Sequence, residues 1–279
     1  MLAVALLLFV FGLGLGVLLN SLADNLPPDA NDLRHPPRRP RCRVCGQAHA
    51  PANWLALAAL VRHRGRCEHC GAPRPTRAVV VELAAGGITA GLWFWGARAG
   101  LPLVETVAVY LAALVFVQGC LLITVIDIEH RLILWGVVWP LALVAALTGA
   151  ALPGHGLTKT LLGGIAGYAL TLGIFVLAEL YARGLQWLRG QPLDEVAFGG
   201  GDVNLAGLIG LAVGWPGVLL SLTLAILLGG LYSLGFIVVQ LLRRRYTPHS
   251  AVPYGPFLVL GALTIYLFGK DFAVWMAGR

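Results

Sequence analysis

Charge is scarce in this sequence: Asp, Glu, Lys and Arg make up 12% of its 279 residues, against about 25% in soluble domains. With 58% hydrophobic residues and a mean hydropathy of +0.80, the chain must be solvated largely by lipid, which excludes an ordinary water-soluble domain. Acid is scarcer than base, 13 Asp and Glu against 20 Lys and Arg. Alone, that balance would suggest nucleic acid. Most of the Arg, however, sits between or beside long apolar runs, so it is assigned to membrane orientation and no nucleic-acid partner is expected. Cysteine is sparse too. There are five, and four of them form two short Cys-x-x-Cys pairs in a hydrophilic segment, which is not the pattern of a secreted disulfide array. The first apolar run, Met1 to Leu19, lacks a basic segment before it and a clear small-residue cleavage site. It reads as a retained first helix rather than a signal peptide.

What is present is a series of apolar runs, near residues 2 to 22, 79 to 97, 102 to 126, 132 to 149, 157 to 180, 203 to 215, 217 to 242 and 254 to 269. A helix needs about 20 residues to cross about 30 Å of hydrocarbon, so five or six of these are comfortable spans and the others are short or broken. Gly214-Trp215-Pro216-Gly217 is the natural place for the chain to turn, because Pro removes a backbone donor and Gly permits the bend. The expected fold class is an all-α polytopic membrane protein of about eight transmembrane helices with a small zinc-binding cytoplasmic loop domain. Residues 1–22 form the first transmembrane helix, 23–78 the four-cysteine loop domain and 79–279 the membrane core. With the N-terminus outside, the inner loops 23–78, 127–131, 181–202 and 243–253 hold 16 of the 20 basic residues, including Arg243-Arg244-Arg245. That asymmetry sets the predicted orientation.

Two aspartates carry the candidate chemistry. Asp127 ends the third apolar run, in Ile126-Asp127-Ile128-Glu129-His130-Arg131, and Asp202 follows Gly199-Gly200-Gly201 at the start of a short run. From Asp202 to Trp215 is roughly 20 Å of helix against about 30 Å of hydrocarbon, so a crossing would carry Asp202 below the membrane surface or into a thinned, wet recess. An ionisable group at that depth is a functional candidate. Two carboxylates brought together cannot both ionise cheaply: the charged one can take a proton from an attacking water, and the neutral one can donate to a developing oxyanion. Which residue starts protonated is left open, since the pair shares its titration. The plainer readings are an interfacial Asp127 held by Arg131 or water, and an Asp202 that caps a helix.

Cys42-Arg-Val-Cys45 and Cys67-Glu-His-Cys70 suit four-thiolate tetrahedral ligation, most commonly of zinc; unmetallated redox-active or inert thiols are the alternative. A closed four-thiolate site is structural, with no open position for a hydrolytic water. His49, His63 and His69 lie nearby, but four thiolates leave them no coordination vacancy. Cys120, inside the third run, reads as a packed small residue.

Ile126-Asp127, Gly199-Gly200-Gly201-Asp202-Val203 and Pro253-Tyr254-Gly255-Pro256-Phe257 together resemble the type IV prepilin leader peptidase family, bacterial membrane aspartyl peptidases with two essential aspartates, the second in a Gly-x-Gly-Asp motif. Asn20 to Pro27 is similar to a further family segment, and Glu82 resembles a glutamate that the family carries beyond the second cysteine pair, although an interfacial charge is the bland alternative. The chain departs from the pattern at Asn25, where the family has Arg, at Asn204, where Lys commonly stands, and at Leu132-Ile133-Leu134-Trp135, which replaces a Pro-containing turn.

The resemblance implies an aspartic endopeptidase of the bacterial inner membrane with its active site toward the cytoplasm. It would cleave the leader of type IV prepilins or pseudopilins, and would also N-methylate the new amino terminus with S-adenosylmethionine. Asp127 and Asp202 would be catalytic, with Gly199, Gly201, Gly255, Pro256, Asn20 and Glu82 supporting the motifs. Zinc on Cys42, Cys45, Cys67 and Cys70 would be structural, and no metal enters the peptidase chemistry. Expected partners are these substrates, membrane lipid and pilus or type II secretion components. Asp24, Glu129, Asp194 and Glu195 are candidate recognition charges for a basic leader. The rival readings are an ion- or proton-coupled transporter, whose intramembrane acids would carry cations, and a non-catalytic scaffold of a pilus or secretion machine.

Overall fold

The computed structural model describes residues 2–27, 40–98, 100–151, 156–189, 199–243 and 253–276. All eight apolar runs appear as helices: α1 (Leu2–Asn25), α3 (Thr76–Ala97), α4 (Leu103–His130), α5 (Trp135–Ala151), α6 (Gly156–Arg189), α7 (Gly200–Val213), α8 (Gly217–Leu242) and α9 (Gly255–Met276). A ninth helix, α2 (Ala56–His63), lies between the two cysteine pairs. The chain is therefore an all-α, polytopic membrane protein. Among the described residues, five helices are long and apolar enough to cross a membrane: α1, α3, α4, α6 over Gly156–Gly184, and α8. The apolar helices Trp135–Ala151, Gly200–Val213 and Gly255–Gly269 are shorter. Helix α6 runs on to Arg189, where the sequence suggests an aqueous loop from residue 181. Its last turns hold a Glu179–Arg183 pair one turn apart, 3.0 Å, and the one glycine among them, Gly184, costs a helix only about 1 kcal/mol and does not end it. Asp194, Glu195, Arg244 and Arg245 lie outside the described residues.

The chain divides into two compact units, Met1–Ile126 and Asp127–Arg279. In the first, α1 and α3 pack in opposite directions on small residues. A Cβ on Gly12 would lie 2.7 Å from Gly86 Cα, and one on Gly16 would lie 2.5 Å from Glu82 Cα. Further along, the Asn20 side-chain amide donates to the Ala78 carbonyl, 2.9 Å. Close approach at small residues is how apolar helices gain packing energy in lipid, where no hydrophobic drive pulls them together. Helix α4 adds a polar clasp: the buried Gln118 amide donates to the Ala85 carbonyl and to Thr89 Oγ1, both 3.0 Å.

In the second unit α6 and α7 cross through glycines. Added Cβ atoms on Gly163 and Gly210 would run into each other's backbone, and one on Gly164 would meet Leu211 Cγ at 2.7 Å. Helix α7 ends at Gly214, whose φ of +66° no β-carbon opposes, and the turn predicted at 214 to 217 follows, with a cis Trp215–Pro216 bond. Helix α4 ends at His130. Arg131 takes a φ of +54°, its N–H donates to the Asp127 carbonyl at 2.9 Å, and Leu132 to Leu134 stay non-helical before α5.

Candidate functional site

The first site is built from chain ends that glycine brings close. Asp127 sits in the last turn of α4 and Asp202 in the first turn of α7; both are buried, at 5% and 9% exposure. Asp127 Oδ2 accepts the backbone N–H of Gly255, the first residue of α9, at 3.0 Å. That approach requires glycine, because a Cβ at position 255 would stand 2.6 Å from the same oxygen. Asp202 is not the N-cap itself. Gly199 is, and Asp202 stands three residues on, where its Oδ2 accepts the Gly199 N–H at 3.0 Å. Because glycine has no side chain, the return bond runs from the Asp202 N–H to the Gly199 carbonyl, 3.0 Å.

Gly201 lets α7 lie against the link after α4, since a Cβ there would be 2.8 Å from Ile133 Cβ. The charge of Asp202 acts on Asp127 and on the half-buried Tyr254; Arg131 also acts on Asp127. The structure thus brings Asp127, Asp202, Gly199, Gly201 and Gly255 together within one unit, with Pro256 next in α9. Asn204, the position of a departure, turns its amide back to the Gly200 carbonyl, 3.1 Å. Tyr254 was singled out only as part of a motif, and its nearness to Asp202 depends on where α9 begins. Two buried carboxyl groups, one within reach of the other's charge, are chemically suited to general acid–base work.

The second site lies in the other unit. Its two cysteine pairs form matching knuckles. Cys42 N–H donates to the Gln47 carbonyl (2.9 Å) and Gly46 N–H to the Cys42 carbonyl (2.9 Å), while Cys67 N–H donates to Ala72 (2.8 Å) and Gly71 N–H to Cys67 (3.0 Å). Gly46 and Gly71 supply the left-handed turns, φ +70° and +69°. All four Sγ atoms lie within 4.8 Å of one another, and the closest pairs are Cys42–Cys70 at 3.7 Å and Cys45–Cys67 at 3.9 Å. A tetrahedron with Zn–S bonds of about 2.3 Å has edges of about 3.8 Å, so the donor set fits a zinc ion as four-thiolate ligands.

Burial opposes ionisation of the Cys42 thiol, but the N–H groups of Cys45 and Val44 and the neighbouring sulfurs outweigh it and bring its pKa down to about 6. At Cys70 the Ala72 N–H favours the thiolate, yet burial and the other three sulfurs drive the pKa up to about 11. Four sulfurs so close cannot all ionise without a cation among them, and a divalent metal removes that penalty. Such a site is closed and structural.

None of the three histidines lies among the four ligands. His49 Nδ1 stands 4.0 Å and His69 Nε2 3.6 Å from Glu68 Oε1, and the His63 ring pairs with Asn53 Nδ2 at 3.2 Å. Glu68 and Asn53 escaped the sequence reading. Glu68 accepts from the Ala50 N–H (2.8 Å) and from the Asn53 amide and so ties the knuckles together, a role that no spacing announces. Asp24, a candidate recognition charge, is already paired with Arg43 and Arg77, both at 2.6 Å. Asn25 closes the end of α1 by donating to the Ser21 carbonyl, 2.6 Å. Glu82 is fully buried, with 1% exposure.

Comparison with known proteins agrees along most of the chain. Residues 114–234 match the Type IV leader peptidase family, and residues 10–96 match the bacterial peptidase A24 N-terminal domain. The chain is similar to the prepilin leader peptidase/N-methyltransferase of Burkholderia pseudomallei (strain 1026b), 26% identical over 240 residues, 86% of this chain and 70% of the relative. It is also similar to the proteins of that name from Aeromonas hydrophila, 27% identical over 96% of this chain and 92% of the relative, and Bacillus subtilis (strain 168), 25% identical over 95% and 94%. No solved structure matches the chain. Two family models that cover separate stretches, with relatives aligned across both, make this a family-level match to the type IV leader peptidase family.

Proposed function

We propose that the chain is an aspartic endopeptidase of the bacterial inner membrane that cuts the leader from type IV prepilins or pseudopilins at the cytoplasmic face. The observation that carries this reading is the pair of buried carboxylates, Asp127 and Asp202, each accepting a glycine N–H, with Asp127 within reach of the charge of Asp202. One member is ionised and takes a proton from water as the water attacks the peptide carbonyl. The other is neutral and donates to the oxyanion, then the proton shared between them goes to the leaving amine. The N–H bonds from Gly199 and Gly255 orient the carboxylates so that their remaining oxygens face the water. In this topology eight helices cross, the N-terminus is outside and the pair lies at the cytoplasmic edge, where a substrate whose helix rests in the bilayer presents its cut site. The zinc knuckles are structural. The relatives' name supports a second activity, N-methylation of the new amino terminus with S-adenosylmethionine as donor.

The test is cleavage of a prepilin-like peptide in liposomes by the wild type, Asp127→Asn and Asp202→Asn, scored by mass at the new amino terminus. Cleavage by the wild type and its loss in both folded variants is the expected result, and added S-adenosylmethionine should raise the product mass by one methylene. Normal cleavage by either variant would sink the shared-pair mechanism, and no cleavage by the wild type would raise the transporter and scaffold readings.

A further inference from the structure

Helix α2 is a strut between the two knuckles. It begins 11 residues after Cys45 and ends four residues before Cys67, so its placement sets how one pair of thiols meets the other. It is only eight residues long and its N-cap, Leu55, makes no side-chain cap bond. An isolated helix of that length is not stable in water, and its first N–H groups need acceptors from elsewhere. They find one in Glu82, 26 residues on, in the second turn of α3. Glu82 Oε1 accepts the Ala56 N–H at 2.7 Å and Oε2 accepts the Leu57 N–H at 2.9 Å. The carboxylate is 1% exposed, and Gly16 of α1 lies directly against its backbone. A negative group at the start of a helix also meets the positive end of its dipole.

We propose that Glu82 is the positioning residue that docks α2, and through it the metal knuckles, onto the α1–α3 pair, so that retention of the metal depends on a carboxylate that is not a ligand. Two further ties point the same way. Arg43 of the first knuckle and Arg77 of α3 share Asp24 of α1, both at 2.6 Å. At the other end of the strut, the Gly65 N–H donates to the Ala59 carbonyl at 3.2 Å as the chain turns toward Cys67. Glu82 is the buried member of this set. It is the side-chain acceptor that the structure records for the first two N–H groups of α2. The inference stands apart from the peptidase reading, because it concerns the metal and the first unit only.

The test uses the full-length, zinc-loaded protein in detergent, with two readouts: zinc transfer to a chromogenic chelator, and amide exchange at Ala56 and Leu57. In Glu82→Ala both amides should exchange at least about tenfold faster, and zinc should leave several-fold faster. Glu82→Gln has nearly the same shape but offers one acceptor and turns an N–H donor toward the other amide. It should leave one amide of the pair protected and expose the other, with intermediate zinc release. That split marks positioning by the carboxylate, since general loosening would expose Ala56, Leu57 and Ala59 alike in both variants. Wild-type protection of both amides and unchanged zinc release in Glu82→Gln would overturn the proposal, even if Glu82→Ala failed to fold.

Discussion

Replacing Gly255 by Ala tests the aspartate site through a residue that carries no functional group. The new Cβ would lie 2.6 Å from Asp127 Oδ2 and 3.0 Å from Cγ. A separation under 3.0 Å is one that real Cβ atoms essentially never show, so the carboxylate must swing or α9 must back away by about 0.4 Å or more. Either movement disturbs the 3.0 Å bond from the Gly255 N–H. A hydrogen bond to a charged acceptor is worth about 1.5–3 kcal/mol, and each 1.4 kcal/mol or so is about tenfold in rate. Cleavage should therefore fall about tenfold to about a hundredfold, mainly in kcat, because the loss falls on the reacting group. The assay is initial-rate cleavage of the prepilin-like peptide, with thermal unfolding in detergent as the check on folding. Gly230→Ala on α8 is the control: a Cβ there meets nothing within 4 Å, and its rate should match the wild type. If Gly255→Ala cleaved at the control's rate while Asp127→Asn was inactive, the bond from Gly255 would not matter to the chemistry.

Two further outcomes follow from the packing and the metal site. Gly210→Leu should be strongly destabilising, by more than the about 1–3 kcal/mol of ordinary overpacking, because its side chain must enter space that the Gly163 backbone occupies; a thermal midpoint within a degree of wild type would contradict the α6–α7 crossing. Cys67→Ser, or prolonged chelation, should lower bound zinc well below one per chain by elemental analysis and increase proteolysis of residues 40 to 75, whereas Cys120→Ser should keep full zinc because that thiol is buried in α4 away from the cluster.

The positions of the membrane helices were legible because a span leaves a one-dimensional record: about 20 apolar residues in a row, broken where Gly and Pro stand together. All eight runs became helices, and the Gly214 to Gly217 turn fell where backbone chemistry put it. The cysteine cluster was legible for a similar reason, since two-residue spacing on a tight turn presents both sulfurs to one metal. Helix ends were less so: α6 continues through Gly184 to Arg189, because a single glycine costs a helix only about 1 kcal/mol, although the polarity of those residues suggests a loop.

The sequence by itself determined the solvent of this protein, its helical runs and the four cysteines that could hold a metal, all of which rest on composition and local spacing. Only the tertiary structure decided that Gly255 approaches Asp127 from 128 residues away, that Asp202 stands third in its helix rather than at the N-cap, and that Glu82 caps a helix it does not belong to. Each depends on two backbones meeting at a particular depth and rotation. That meeting is set by the close packing of glycines such as Gly16, Gly201 and Gly255, and a glycine carries no side chain to announce in the sequence which neighbour it will touch.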